Sequence, residues 1–241
     1  MKTTEKTKII LYGLPFAGGN SLSFRGLQAH LVDTIQMKAI DLPGHGKRVR
    51  ETLLTHLETI VDDISSQIQP ELDKHPYAIY GHSLGAALGH LLIRRIVNQN
   101  LSTPMHFFVS GRRAPSVKQT TPFRHCLPKA EFISMLRKLG GSPPELLEHD
   151  ELIDFFEPIL RADFQALETH EYHQTHPFNI PLTILHGMND KEVSYHDLLP
   201  WQQETTQPIS IKQFSGDHFF IFQHFFQIGQ LFSQILPKKV I

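Results

Sequence analysis

Short runs of apolar, β-branched and aromatic residues alternate along this chain with longer segments in which apolar positions recur every three or four residues. Several short runs are apolar at successive positions, as in strands that are buried on both faces of a parallel sheet. The longer segments have the spacing of helices that cover such a sheet. The predicted strands are 8–14, 35–42, 77–82, 105–111, 181–187 and 209–216, and the predicted helices are 53–72, 85–99 and 218–236. The pattern predicts an α/β fold with a mostly parallel central sheet flanked by helices.

One long segment interrupts this alternation. Residues 127–172 contain no strand signal and consist of helical stretches separated by a Gly-Gly pair and a Pro-Pro pair. Such a segment between two strands is far longer than a crossover needs, and it is typical of a lid. We therefore expect a single α/β domain over 1–241, with a helical lid insertion at approximately 124–175.

Composition and charge exclude several classes of protein. The chain has 241 residues, of which 40% are hydrophobic, and this is enough for one substantial core. The formal net charge of -1 gives no overall attraction to nucleic acid or to an anionic membrane. No stretch approaches the roughly 18 apolar residues of a membrane span. The start resembles a signal peptide, but Gly13 and Pro15 interrupt its apolar run. Cys126 is the only cysteine, which excludes an internal disulfide and indicates a reducing, cytoplasmic setting.

The sequence GHSLG, residues 81–85, follows a predicted strand and opens a predicted helix. In that context a G-x-S-x-G pattern predicts a nucleophile elbow, a strained turn that projects its serine above the sheet. Gly81 and Gly85 carry no β-carbon where strand and helix come close. Ser83 is therefore the candidate nucleophile, and the start of the following helix favours the negative charge that develops beside it.

A serine nucleophile needs a histidine base that a carboxylate orients, and in this fold the chain order is Ser, Asp, His. Asp190 follows the fifth predicted strand, and His218 lies between the last predicted strand and the last predicted helix. Asp197 is an alternative acid, because it lies only a few residues beyond Asp190. Asp217 is expected to cap the last helix instead, since adjacent side chains rarely face each other. The predicted catalytic residues are Ser83, Asp190 and His218.

Acyl transfer also requires backbone N–H donors for the oxyanion. The residue after the nucleophile, Leu84, supplies one donor in this fold, and the loop after the first strand supplies the other. Gly18 and Gly19 allow that loop to approach closely. By position we assign the second N–H to Ala17, with Phe16 as the alternative.

Apolar side chains of the predicted lid are candidates for an acyl-binding pocket, although aromatic stripes at helical spacing more often form core. The candidate substrate-binding residues are Phe16, Phe132, Met135, Phe155 and Phe156.

Two polar clusters have alternative interpretations. His170, His173 and His176 are spaced three apart, but no matched set of acids and cysteines accompanies them, so we expect a polar connection and no metal site. The basic segment 47–50 fits either a contact with an acidic partner protein or a solvated charged loop. A second basic pair, 112–113, lies near the end of a predicted strand.

Seven sequence blocks are spread along nearly the whole chain. In chain order they are LPFAGGN, DLPGHGKRVRE, YGHSLGA, VSGRRAP, LPKAEFISMLRKLGGSPPELL, PILRADFQALETHEY and GDHFFI. Together these blocks resemble the type II thioesterases, the stand-alone α/β-hydrolases that accompany polyketide and nonribosomal peptide synthetases. LRKLGGSPPE and LRADF discriminate best, because they lie in the predicted lid and the general hydrolase fold does not require them. His45 departs from the pattern, since arginine is common at this place in the family.

The resemblance implies a serine hydrolase that cleaves acyl thioesters from the phosphopantetheine arm of an acyl or peptidyl carrier protein. The expected chemistry needs no metal or organic cofactor, and we expect a monomer without a nucleic-acid or membrane partner. A general carboxylesterase or lipase-like hydrolase acting on small oxygen esters is the alternative, but it leaves the lid blocks unexplained. A catalytically silent binding protein on the same scaffold is a third hypothesis, which an intact Ser, Asp and His set disfavours.

Overall fold

Six strands form one sheet, and every pairing between neighbouring strands is parallel. This computed structural model describes residues 8–118, 123–141 and 148–236. Residues 142–147 of the predicted lid and both ends of the predicted domain lie outside the described residues. The strands are β1 (Ile9–Leu14), β2 (Ile35–Ala39), β3 (Tyr77–His82), β4 (Phe107–Ser110), β5 (Leu182–Gly187) and β6 (Ser210–Phe214), in the spatial order β2-β1-β3-β4-β5-β6. The predicted fold class is confirmed.

Helices cover the sheet and also occupy the long segment between β4 and β5. The α-helices of the described residues are α1 (Arg25–Gln28), α2 (Leu57–Ile68), α3 (Leu84–Asn98), α4 (Lys129–Leu139), α5 (Asp150–Glu168) and α6 (Phe225–Ile235). The last helix begins at Phe225 rather than at residue 218, because turns that include a 3-10 segment at Phe220–Gln223 hold the preceding loop against the end of β5. No helix in the described ranges is long and apolar enough to cross a membrane.

The alternation of side chains along β1 shows why helices are needed on both faces. Ile10 and Tyr12 join the buried cluster that contains residues of α2 and α3, whereas Ile9 and Leu11 join the cluster that contains residues of α1 and α6. Successive side chains of a strand point to opposite faces of the sheet, so both faces of this sheet are apolar. Each face is therefore buried under its own pair of helices.

The strand order reverses next to β1, because the chain adds β2 on one side and then crosses over to add β3 on the other. In open α/β sheets such a switch point leaves a crevice at the carboxyl ends of the strands, where ligands bind. The loops that leave β1, β3, β4, β5 and β6 all contribute residues to one cleft at this edge. The sheet topology thus brings together residues that are far apart in the sequence.

Helices α4 and α5 lie within the segment predicted to be a lid. They pack on each other through a small apolar cluster of Phe132, Leu136, Leu160 and Phe164. The Arg161 guanidinium lies 4.2 Å from the centre of the Phe132 ring, which adds a cation–π contact. The two helices therefore share a core of their own, separate from the clusters that flank the sheet.

Candidate active site

The turn between β3 and α3 holds Ser83 in a strained conformation. Its backbone has φ +52° and ψ -108°, which is costly for a residue that carries a β-carbon. A β-carbon at Gly81 would lie 2.2 Å from the Gly85 carbonyl oxygen, and one at Gly85 would lie 1.9 Å from the Leu14 carbonyl oxygen. Only glycine allows both approaches, so these two residues pack the start of α3 against the ends of β1 and β3. The Ser83 N–H donates to the Ser110 carbonyl at 2.8 Å, which anchors the turn to β4.

A chain of hydrogen bonds runs from Ser83 through His218 to Asp190. The Ser83 Oγ lies 3.1 Å from His218 Nε2, and His218 Nδ1 lies 2.9 Å from Asp190 Oδ2. The other carboxylate oxygen of Asp190 accepts the N–H groups of Glu192 and Val193 at 2.8 and 3.2 Å. The Asp190 side chain is fully buried and that of His218 is 7% exposed. The imidazole is thus held between an acceptor carboxylate and a serine hydroxyl, as general-base catalysis requires.

Close backbone packing fixes the two loops that carry Asp190 and His218. The Asn189 N–H donates to the Gly216 carbonyl at 2.9 Å, and a β-carbon at Gly187 would lie 2.2 Å from the Asp217 carbonyl oxygen. The loops after β5 and β6 therefore cannot separate without breaking this contact. The acid and the base are positioned by the backbone as well as by their own hydrogen bond.

The two alternative acids have other roles. Asp197 Oδ2 accepts the Ser194 N–H at 2.9 Å and forms a capping box there, so it does not contact His218. Asp217 Oδ1 accepts the Phe219 N–H at 2.9 Å. The expectation that Asp217 caps the last helix is wrong, because α6 begins only at Phe225 and Asp217 stabilises the turn before it.

Two backbone N–H groups are available as donors for an oxyanion hole. Leu84 is the first residue of α3, and its N–H has no acceptor among the described residues. Ala17 lines the same cleft as Ser83, and its N–H likewise has no acceptor within the described part of the chain. The residues after Ala17 are tied down, since Gly19 donates to the Phe16 carbonyl at 2.8 Å. The loop can therefore keep the Ala17 N–H available.

A buried ion pair, which the sequence did not reveal, links this loop to α5. Asp163 Oδ2 accepts the Gly18 N–H at 2.7 Å and lies 3.0 Å from His45 Nε2. The other ring nitrogen of His45 lies 2.9 Å from the Pro43 carbonyl oxygen. The imidazole faces two acceptors, so only its protonated form can donate to both. Burial opposes this charge, but the hydrogen bond and charge of Asp163 outweigh it and raise the pKa of His45 above its ordinary value.

This pair predicts a pH-dependent stability. A raised pKa means that the pair stabilises the fold fully below the unfolded pKa of about 6.5 and that this contribution is lost as the pH rises through the folded pKa. In a His45→Arg variant the charge beside Asp163 and Asp41 persists at every pH. We expect the melting temperature of the wild type to fall by a few degrees relative to the variant between about pH 6 and pH 9. Thermal unfolding of both proteins across this range tests the prediction, and parallel curves would contradict it.

Apolar side chains of the two lid-segment helices line the cleft above Ser83. The side chains of α4 and α5 that line it are Leu136, Leu139, Leu160, Phe164 and Leu167. Leu136, Leu160 and Phe164 also belong to the cluster that packs α4 against α5, so the same side chains serve both purposes. These two helices thus contribute mainly apolar side chains to the cleft, as an acyl chain requires.

Of the five candidate pocket residues, the structure places only Phe16 in this cleft. Phe132 is fully buried between α4 and α5, and Met135 and Phe156 pack against the same cluster. Phe155 is 52% exposed on the outer face of α5. These four residues are needed for helix packing or face solvent, and the leucines one turn away take the place predicted for them.

The histidine cluster and the basic segment singled out in the sequence form contacts within the fold. His170 Nδ1 lies 2.8 Å from Glu58 Oε1, and the described residues contain no group of three His, Cys, Asp or Glu side chains that could hold a metal ion. Within the basic segment, Arg48 forms ion pairs with Glu51 and Asp63, both at 2.6 Å. Arg48 therefore stabilises its own loop, whereas its neighbours Lys47 and Arg50 are exposed.

Comparison with known protein families decides which hydrolase this is. The model of the thioesterase domain family matches residues 9–238. The chain belongs to this family. Its match spans the strained serine turn, helices α4 and α5 and the loop that carries His218.

Three relatives illustrate the similarity of this thioesterase to proteins of known biosynthetic systems. It is 37% identical to the gramicidin S biosynthesis protein GrsT of Aneurinibacillus migulanus, over 90% of this chain and 84% of the relative. The structure of ClbQ from the colibactin NRPS/PKS pathway superposes with a TM-score of 0.91 at 29% identity, covering 96% of this chain and 98% of ClbQ. RedJ, a thioesterase of the prodiginine biosynthetic pathway in Streptomyces coelicolor, gives 0.85 at 28% identity, over 92% and 85% of the two chains. Each comparison covers at least 90% of this chain, so the similarity is not confined to the sheet.

Proposed function

We propose that this thioesterase is a serine hydrolase that releases acyl groups from the phosphopantetheine arm of acyl or peptidyl carrier proteins. The observation that carries the proposal is the hydrogen-bonded series of Ser83, His218 and Asp190 at a cleft that apolar side chains of α4 and α5 line in part. The relatives named in gramicidin S, colibactin and prodiginine biosynthesis support the carrier-bound substrate. A carrier presents its acyl group as a thioester on a long flexible arm, which suits a cleft at the edge of the sheet.

In the first half of the proposed reaction, Ser83 attacks the thioester carbonyl. His218 Nε2 accepts the hydroxyl proton, and Asp190 holds the opposite ring nitrogen protonated and stabilises the imidazolium that forms. The N–H groups of Leu84 and Ala17 donate to the oxyanion, with the start of α3 adding its dipole. Collapse of the tetrahedral intermediate expels the pantetheine thiol, which takes a proton from His218 and leaves an acyl-enzyme.

In the second half, water replaces the thiol. His218 removes a proton from the water as it attacks the acyl-enzyme, and then returns a proton to the Ser83 oxygen as the acid leaves. The same two N–H donors stabilise the second oxyanion. Every proton transfer uses groups of this chain, so we propose that the reaction needs no cofactor.

We further propose that α4 and α5 act as the lid over the acyl chain within a single domain. The leucines of these helices line the cleft, and their shared core lets them move as one body. The enzyme is proposed to work as a monomer in the cytoplasm, where carrier proteins are its partners and neither nucleic acid nor membrane takes part.

Acyl release from carrier proteins tests the proposed function directly. Short- and medium-chain acyl groups are offered on a carrier protein and, in parallel, as N-acetylcysteamine thioesters. We expect kcat/KM for the carrier-bound groups to be higher by about tenfold or more, because each 1.4 kcal/mol of docking energy gives a factor of ten. Chromatography measures the released acid, and the change in mass of the carrier protein measures the loss of its acyl group.

Matched oxygen esters of the same acyl groups are the control for substrate class. Their turnover should be slower than that of the thioesters, since an alkoxide is a poorer leaving group than a thiolate. Hydrolysis of the oxygen esters without hydrolysis of either thioester would contradict the proposal and favour a general carboxylesterase.

A further inference from the structure

Arg112 lies at the junction of two cavities. It follows Gly111 at the end of β4 and lines the cleft that contains Ser83 and His218. It also lines a neighbouring side cavity, which is bounded by α3 and by the connection that leaves α5. Arg112 is one of the residues that line both cavities, together with Arg113, Leu167 and Glu168.

The guanidinium of Arg112 has no hydrogen-bond acceptor or acidic partner among the described residues. Its backbone carbonyl accepts the Trp201 indole N–H at 3.0 Å, which fixes the main chain while leaving the side-chain donors unused. Burial, together with the positive charge of Arg113, lowers the pKa of Arg112 to about 10. The side chain is thus a partly buried cation next to another cation.

The carboxylates around the cleft are already paired with other groups. Glu192 pairs with Arg124 at 2.5 Å. Glu168 accepts the Arg124 N–H and pairs with the His125 ring at 2.6 Å. Neither acid is left to neutralise Arg112. A partly buried cation without a counter-charge is costly, and the cost is recovered when an anion binds.

We propose that Arg112 forms an anion subsite that binds a phosphate or carboxylate group of the thioester substrate. The inference rests on the proposed function, because it assigns part of the substrate of that same cleft. A guanidinium presents parallel N–H donors that match the oxygens of either anion. Arg113 lines both cavities as well and donates to the Glu192 carbonyl, so it adds positive charge to the subsite. The phosphate of the pantetheine arm and a carboxylate on the acyl group are the two sources of such an anion.

Four small substrates separate these sources: the acetyl and the malonyl thioesters of pantetheine and of 4′-phosphopantetheine. Arg112→Gln removes the charge, and Lys74→Gln is the matched control, because Lys74 is exposed before β3 at the opposite edge of the sheet. If the arm supplies the anion, kcat/KM of Arg112→Gln falls about 10- to 100-fold below the wild-type value for the two phosphopantetheine thioesters and stays unchanged for the two pantetheine thioesters. If the acyl group supplies it, the same loss follows the two malonyl substrates. In either case the loss is expected mainly in KM, and Lys74→Gln retains wild-type values.

Acetyl-pantetheine carries no anion and reports the basal chemistry. An equal loss on all four substrates, or no loss on any, overturns the anion subsite while the proposed thioesterase activity stands. A wild type that hydrolyses none of the four would instead contradict the proposed function. If Arg112→Gln does not fold, Arg112→Lys keeps the charge without the paired donors. We then expect a several-fold loss confined to the anionic substrates, and a loss that includes acetyl-pantetheine overturns the proposal.

Discussion

Replacement of Ser83 by alanine is expected to lower kcat for thioester hydrolysis by about 10⁴-fold or more, because it removes the only proposed group that forms the acyl-enzyme. The remaining activity would come from the oxyanion donors and from substrate binding alone. Steady-state acyl release measures the loss, and a serine-reactive fluorophosphonate probe reports the covalent step independently. We expect the probe to add one label to the wild type and none to Ser83→Ala.

The chain offers a matched control for this substitution. Ser215 Oγ lies 3.1 Å from His224 Nε2, the same separation as between Ser83 and His218. Ser215 is exposed, however, and no carboxylate contacts His224 within the described residues. Ser215→Ala should therefore keep wild-type turnover and probe labelling. Full activity of Ser83→Ala, or labelling that persists in it, would mean that a group other than Ser83 is the nucleophile. A wild type that takes no label would favour the catalytically silent alternative.

The sheet and the serine turn were predictable because their signals are local. Strands buried on both faces read as continuous apolar runs, and the order of Ser83, Asp190 and His218 along the chain follows from the fold itself. The turn glycines are similarly local, since Gly81 and Gly85 meet within a few residues of each other. Each of these features depends on spacing that can be counted along the sequence.

The features that were missed depend on tertiary packing. His45 and Asp163 are separated by 118 positions, and nothing near either residue indicates that they form a buried pair. Likewise, helical spacing shows that Phe132 and Leu136 lie on related faces of α4, but not that Leu136 reaches the cleft while Phe132 does not. Phe132 is the larger group and fills the interhelical core, where its burial is complete. The way in which α4 and α5 cross decides which side chains line the pocket. This crossing cannot be read from the sequence of one helix.

Replacement of Asp190 by asparagine is expected to lower kcat by about 10⁴-fold while leaving the fold intact. Asp190 Oδ1 is committed to the N–H groups of Glu192 and Val193, so the side-chain oxygen of asparagine would stay there. Its NH₂ group would then face His218 Nδ1, where it can donate but cannot accept. The imidazole would carry its proton on Nε2, and that nitrogen could no longer accept the Ser83 proton.

Asp197→Asn is the control that distinguishes the two candidate acids. Asp197 Oδ2 accepts only the Ser194 N–H in its capping box, a role that an asparagine oxygen can also fill. We expect this variant to retain turnover within about twofold, because it alters no group in contact with His218. Steady-state rates and thermal unfolding of both variants decide the assignment. A large loss in Asp197→Asn with little loss in Asp190→Asn would reverse it, and would require the loop after β5 to rearrange during catalysis so that Asp197 reaches the base.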